Sequence, residues 1–276
     1  MSKLKKEKGN LIDFSTPIVM GILNITTDSF FDGGKYLTKK QIINQIQKIK
    51  KEGAQIIDIG ASSSRPGSTP VSEKLELERL LPTIELIKEN CTDIKISIDT
   101  FRSVVAKSCI ENGADIINDI SAGEYDKKMF ETVANHNVPY IMMHMKGDSL
   151  TMQNNPSYNN VVEEIMLFFQ TKINKLNEMD FNQIIIDPGF GFGKTLEHNY
   201  EILKNLKQFQ KFKLPVLVGA SRKSMIYKLL NGTAEQALNG TSVVNTFSLL
   251  NGASILRVHD VKEAVECIKI VNLIKK

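Results

Sequence analysis

Eight short apolar runs recur along this chain, and seven of them end on a polar residue suited to holding a ligand. They are PIVMGILNIT (17–26), AQIIDIG (54–60), IKISIDT (94–100), DIINDI (115–120), PYIMMHM (139–145), IIIDPG (184–189), PVLVGAS (215–221) and SILRVHD (254–260). The second is the exception, because its Ser and Arg follow in the next loop. Near-continuous apolar runs mark parallel strands covered on both faces. The segments between them carry helical periodicity, so strand and helix alternate along the chain. Polar ends spread along the whole set of units, rather than gathered at one switch point, favour a closed barrel over an open doubly wound sheet. The expected fold is an α/β (β/α)8 TIM barrel in a single domain. One rim of such a barrel is built from the strand C-termini. That rim would gather Asn24, Asp99, Asn118, His144, Asp187, Ser221, Arg257 and His259 around one mouth.

The length agrees. A chain of 276 residues is close to the roughly 250 that such a barrel needs. Residues 1–16 read as an N-terminal tail and residues 17–276 as the catalytic barrel, with no Gly/Ser/Pro-rich linker between later units. The net charge of +4 is mild, and the basic cluster Lys3, Lys5, Lys6 and Lys8 reads as a solvated tail rather than a nucleic-acid site. Cys91, Cys109 and Cys267 are odd in number and far apart, which argues against a disulfide framework or a zinc site. Free thiols fit a reducing compartment, so the expected location is the cytoplasm. No run approaches the roughly 18–20 residues of a membrane span, and no apolar signal segment follows the basic start.

Among the helices, Ile42, Ile43, Ile46 and Ile49 fall at helical spacing ahead of Gly53. Ser72 is the expected N-cap of the next helix, where Pro82 predicts a kink or a break into two pieces. The stretch from Ser157 to Met179 is the longest helical candidate, and Ala264–Lys276 closes the chain.

The loops carry the chemistry. The first, NITTDSFFDGGKY (24–36), mixes acid, amide, hydroxyl, aromatic and Gly-Gly elements. Asn24 and Asp32 are hard oxygen donors of the kind Mg²⁺ accepts; the alternative is an ordinary surface turn. The second, ASSSRPGSTP (61–70), pairs hydroxyls with Arg65, a common anion-binding set, though alone a weak signal against a flexible linker. Asp99, Asn118 and Asp119 can meet the polar edge of a heterocycle, or can cap the following helices.

In DPGFGFGKT (187–195) the GKT invites comparison with a phosphate-binding P-loop. That motif requires Gly where Pro188 stands, and the dinucleotide pattern requires Gly where Lys194 stands. What remains is a tight turn with Phe190 and Phe192 beside Asp187, suited to a flat, nitrogen-rich ring. Lys223 and Arg222 offer positive charge, Ser224 opens a helix, and Arg257 and His259 share a strand face, which points to phosphate binding. There is no H-E-x-x-H and no G-x-S-x-G, which argues against zinc and serine hydrolases. Met142, Met143 and Met145 read as core or pocket wall, and His136 as a helix-end residue.

These blocks resemble the dihydropteroate synthase family. The matching stretches are GILNITTDSFFDGG, SSSRPGS, SIDT, INDI, MMHMKG with TMQNNPSY, DPGFGFGKTLEHN, GASRKS and NGASILRVHD, in family order from about residue 17 to residue 261. The resemblance implies condensation of 6-hydroxymethyl-7,8-dihydropterin pyrophosphate with p-aminobenzoate, giving 7,8-dihydropteroate and pyrophosphate in folate biosynthesis. It implies that Asp99, Asn118, Asp187 and Lys223 bind the pterin edges, with Met145 and Phe192 lining its ring pocket. Asn24 would meet Mg²⁺ on the pyrophosphate, and Arg257 and His259 would hold the phosphates. Ser224 would receive the p-aminobenzoate carboxylate, and Phe30, Asp32, Ser64, Arg65 and Pro66 would belong to two loops completing that pocket. A homodimer, and a target for sulfonamides, are implied in the same way. Departures from the family pattern are Thr27, the run Ala61–Ser64, Tyr227 and Asn245–Phe247. The competing readings are a pterin-binding methyltransferase, which would not need SRPG, SRKS or RVHD, and an inactive pterin-binding paralogue.

Overall fold

The structure, a computed structural model, describes residues 12–25, 38–61, 71–148 and 151–276. Its eight strands are β1 (Ile18–Asn24), β2 (Ile56–Gly60), β3 (Lys95–Asp99), β4 (Ile116–Asp119), β5 (Tyr140–Met143), β6 (Ile184–Asp187), β7 (Leu217–Val218) and β8 (Ile255–Val258). All pairings are parallel, in the order β6-β5-β4-β3-β2-β1-β8-β7. A parallel bridge between Ile186 and Val216 joins the two ends. The barrel therefore closes, as the even distribution of polar strand ends anticipates.

Helices α1 (Lys39–Lys51), α2 (Glu73–Asn90), α3 (Ser103–Glu111), α4 (Met129–His136), α5 (Val161–Asn177) and α6 (Leu196–Lys204) alternate with the strands. A 3-10 segment (Leu206–Phe212) precedes β7, and α7 (Ser224–Tyr227) and α8 (Leu238–Leu250) precede β8, after which α9 (Val261–Ile274) ends the barrel. The helix starts are written locally. Thr38 and Gln41 form a capping box on α1, and Ser72 accepts from the Leu75 N–H on α2.

Two details differ from the sequence expectation. Pro82 does not break α2, which at 18 residues is one longer than α5. The missing N–H costs one bond, while Leu80, Ile84 and Ile87 stay buried on the inner face, and the Thr83 hydroxyl donates to the Arg79 carbonyl at 2.8 Å. Before β1, Phe14 is buried and packs with Ile12 under the barrel, so the residues just ahead of 17 belong to the packed body.

The strand interior explains the mouth. Alternate residues of a strand face opposite ways. Ile18, Met20, Ile56, Ile116, Ile141, Ile185, Leu217 and Ile255 form one cluster inside the barrel with Phe14. Their sequence neighbours, such as Val19, Ile57, Ile117, Ile184 and Leu256, belong to the larger cluster under the helices. Two residues beyond the inward isoleucines come Asp58, Asn118, Asp187 and Arg257. The barrel is thus filled by an apolar lower layer and capped by a polar upper one, and one register dictates both.

Candidate active site

Register brings the polar layer together. Asn24 pairs with Gly60, Gly60 with Asp99, and Asp99 with Asn118, so three polar side chains and one glycine lie at one level across β1 to β4. A Cβ on Gly60 would stand 3.4 Å from Asn24 Oδ1 and 3.8 Å from Asp99 Oδ2, so the glycine keeps that space open.

Arg257 crosses the mouth. Its Nε donates to Asp58 Oδ2 at 2.6 Å and its Nη2 to Asp99 Oδ2 at 2.9 Å. Burial disfavours its charge, but Asp58 and Asp99 overcome that and hold the guanidinium firmly protonated. Burial pushes Asp99 up to about 7, opposed by Arg257 and assisted by Asp58. Burial also raises Asp187, against the pull of Lys223 and of the Gly189 N–H, which donates at 2.7 Å. Lys223 is pushed down to about 8 by burial, with Asp187 opposing and Arg257 adding to the shift. The mouth therefore holds an acid and a base whose ionisation changes close to neutral pH.

The turn after β6 builds a wall. Lys223 Nζ donates to the Phe190 carbonyl at 2.6 Å and lies 4.5 Å from the centre of the Phe192 ring. Phe190 is fully buried and Phe192 half-buried, so Phe192 is the ring that can meet a ligand. Met145 is also half-buried, just beyond β5.

On the far side His259 is exposed, and its Nδ1 lies 3.1 Å from Ser221 Oγ, a contact that fixes the ring. Ser224 is half-buried and opens the one-turn helix α7. Phe30, Asp32, Ser64, Arg65 and Pro66 lie outside the described residues, as does Thr27.

Several expectations need correcting. His144 does not face the mouth. It is buried against the Phe168 ring, and its Nδ1 lies 3.0 Å from Lys194 Nζ. Burial holds both groups well below their usual pKa ranges. Lys194, the lysine of the GKT stretch, also donates to the His144 and Phe192 carbonyls, so it is a strut inside the wall, in keeping with the failed P-loop match. Asp119 faces away from Asn118 and takes the Ser121 and Gly123 N–H groups and the Tyr140 hydroxyl. Arg222 turns outward to a two-pronged pair with Asp260 at 2.8 Å and to the carbonyls of Ala234 and Glu235. In each case the opposite strand face or the loop's own bonds claim the side chain.

Sequence reasoning missed Asp58. It is fully buried, and it binds Ser97, Asn118 and Arg257 together. The signal was a carboxylate between isoleucines in AQIIDIG, two residues past the inward Ile56.

Fold and site together define a barrel whose C-terminal mouth is suited to a flat polar ring, with cationic groups beside it suited to an anion. A family model described as pterin binding enzyme matches residues 20–259. Dihydropteroate synthase from Haemophilus influenzae is 41% identical over 261 residues, or 94% of each chain. The structure of Yersinia pestis dihydropteroate synthase in a sulfonamide drug complex superposes with a TM-score of 0.92 at 40% identity, covering 98% of each chain. That of Xanthomonas albilineans dihydropteroate synthase with 4-aminobenzoic acid gives 0.88 at 34% identity, over 96% of this chain and 95% of the other. The chain belongs to the pterin binding enzymes, and among them to the dihydropteroate synthases.

Proposed function

We propose that the chain condenses 6-hydroxymethyl-7,8-dihydropterin pyrophosphate with p-aminobenzoate, releasing pyrophosphate, and that the roles of its residues follow the geometry of the mouth. The observation that carries this reading is the single cup formed by Asp99, Asn118, Asp187, Lys223 and Arg257 from five different strand ends or loops. Its carboxylates and amide match the N–H groups of a pterin edge, and Phe192 and Met145 match its flat face. Arg257 and His259 are the groups proposed to meet the diphosphate tail.

No strong nucleophile is needed. The bond from the pterin methylene to the diphosphate oxygen breaks, and the arylamine nitrogen forms a new bond to that carbon and gives up a proton. Asp99 and Asp187 favour the positive charge that develops on the ring and methylene, and Arg257 and His259 favour the departing anion. The reaction also requires that water be kept from the electrophilic carbon. Ser224 at the start of α7 is proposed to take the p-aminobenzoate carboxylate.

Asn24 is the proposed protein ligand for Mg²⁺. Magnesium commonly keeps several waters and takes substrate phosphates with only one or two protein groups, so one amide oxygen at this rim suffices. No group of three or more His, Cys, Asp or Glu that could hold a metal occurs among the described residues, which suits an ion carried by the diphosphate. Bound there, the ion would neutralise leaving-group charge.

The proposed assembly is a homodimer. Val243, Phe247 and Leu250 on α8 and Ile270, Leu273 and Ile274 on α9 expose apolar surface on neighbouring helices. Light scattering should give twice the chain mass, and Phe247→Glu should give the single mass. The cytoplasm is the proposed location, supported by three unpaired buried cysteines and by the lack, among the described residues, of a helix able to cross a membrane.

The deciding test of the reaction mixes both substrates and measures pyrophosphate release. Release should require p-aminobenzoate and fall on chelation of Mg²⁺; no release with either metal state would refute the reading.

A further inference from the structure

We propose that Asp58 is a positioning residue that sets which hydrogen-bonding groups Asn118 and Arg257 turn toward the pterin. The inference rests on the proposed function and goes beyond it, because Asp58 lies beneath the mouth and its contacts are with protein groups. It stands on β2 at the inward register, is fully buried, and meets groups from three other strands. Its Oδ1 accepts from Ser97 Oγ at 2.6 Å. Its Oδ2 accepts from Asn118 Nδ2 at 3.1 Å and from Arg257 Nε at 2.6 Å.

An ionised carboxylate can only accept hydrogen bonds. Asn118 must therefore offer its NH₂ end to Asp58, and its carbonyl oxygen is the end left to face the mouth. The reduced pterin presents ring N–H and amino groups, so an acceptor there is the productive choice. An amide with nothing beneath it would present either end. Arg257 is settled in the same way. Its Nε goes to Asp58 and its Nη2 to Asp99, and two such anchors fix the plane of a rigid guanidinium. Ser97 completes the carboxylate without reaching the mouth, so the buried group is satisfied on both oxygens. One side chain therefore decides the donor and acceptor pattern of two ligand-facing groups.

The test uses Asp58→Ala, Asp58→Asn and Ser97→Ala. The probe is 6-hydroxymethyl-7,8-dihydropterin pyrophosphate by calorimetry, with KM for each substrate from steady-state rates. In Asp58→Ala the Asn118 amide and the Arg257 Nε lose their shared acceptor, so the amide can turn over and present donors to pterin donors. Pterin affinity should fall by about 10- to 100-fold, the range for a mismatched buried hydrogen bond. KM for p-aminobenzoate should stay within about twofold. In Asp58→Asn the amide oxygen can still accept from Asn118 and Arg257 while its NH₂ donates to the Ser97 hydroxyl, so the acceptor at the mouth is kept. Its pterin affinity should stay within about tenfold of wild type. Ser97→Ala should lower the unfolding midpoint and leave both KM values within about twofold.

Unchanged pterin affinity in a folded Asp58→Ala protein overturns the proposal, as does a folded Asp58→Asn protein no better than Asp58→Ala. If Asp58→Ala does not fold, Asp58→Asn decides: a loss of more than about tenfold in its pterin affinity overturns the proposal. If neither folds, Asp58 serves the fold and the proposal fails. A wild-type protein that does not bind the pterin refutes the proposed function itself, a result separate from all of these.

Discussion

Gly189→Ala tests whether the turn after β6 is held in place by backbone contact. Gly189 has φ +73°, and a Cβ built on it would stand 1.9 Å from the His144 carbonyl oxygen. Ordinary contact would need a retreat of about 1.5 Å or more. That carbonyl is not free to move. Lys194 Nζ donates to it at 3.2 Å, and the N–H of the same residue donates to the Asp187 carbonyl at 3.0 Å. A left-handed backbone costs a non-glycine residue about 1–2 kcal/mol, and overpacking adds about 1–3 kcal/mol. The expected loss is about 2–5 kcal/mol, within the usual stability of a domain, so the protein should fold with a lower midpoint. Relief must move the turn, which carries the Gly189 N–H bonded to Asp187 and the Phe192 ring. Pterin affinity should therefore fall with stability. Gly191→Ala is the control. It has φ +82°, but its Cβ would meet only the Lys223 side chain at 3.3 Å, so the backbone cost alone of about 1–2 kcal/mol is expected. Urea unfolding and calorimetry on both variants measure the difference. Equal losses at the two positions would refute the argument that the His144 carbonyl is a fixed wall.

Other expected outcomes follow from the same geometry. Activity needs Asp99 ionised and Lys223 protonated, so kcat/KM should fall below about pH 7 and above about pH 8, and Asp99→Asn, which cannot ionise, should hold activity low at every pH with no acid limb left. The two groups act on stability with opposite signs. The Asp99 contribution is present below its ordinary value of 3.8 and is lost as pH rises through about 7. That of Lys223 is present above 10.5 and is lost as pH falls through about 8. Asp187→Asn should weaken pterin binding by about 10- to 100-fold in calorimetry, since a charged acceptor is replaced; an unchanged Kd would end its assigned role. Lys223→Ala and Arg257→Ala should each cut turnover at least about 100-fold with folding retained by circular dichroism; full activity in both would void the mouth assignments. Arg222→Ala should cost about 2 kcal/mol in urea unfolding by opening the tie to Asp260, and no loss would show that tie to be idle.

The barrel was legible because the strands are short and apolar and seven of the eight runs are stopped by a polar residue, and those stops coincide with the rim. Asp99, Asn118, Asp187 and Arg257 were legible for the same reason. What the linear pattern could not show is which face of the strand each polar residue takes. His144 and Asp119 end strands as Asp187 and Asn118 do, yet stand one residue out of the inward register. Asp58 was hidden the opposite way, inside an apolar run rather than at its end. The inward isoleucines supply the missing phase, but only once the pairing register is known. The break expected at Pro82 is absent because the buried face keeps α2 continuous across a single missing N–H.

The charges at the mouth have a consequence for the order of events. Three carboxylates, Asp58, Asp99 and Asp187, share this site with two cations, Lys223 and Arg257, and Arg257 is already joined to two of the three. Such a cup leans negative, which favours a methylene turning positive and disfavours an incoming diphosphate. Arg257 therefore cannot offset the charge on the tail alone, and the rim where Asn24 and His259 stand must add to it. Burial, with Arg257 opposing and Asp58 adding, holds Asp99 up to about 7: before the cation develops, the site gains by letting that carboxyl hold a proton, and it gains by releasing it when the ring takes on charge. Binding and bond cleavage thus make opposite demands on one set of residues. Separating an inner acidic layer from an outer layer that meets the phosphates lets a single barrel mouth serve both.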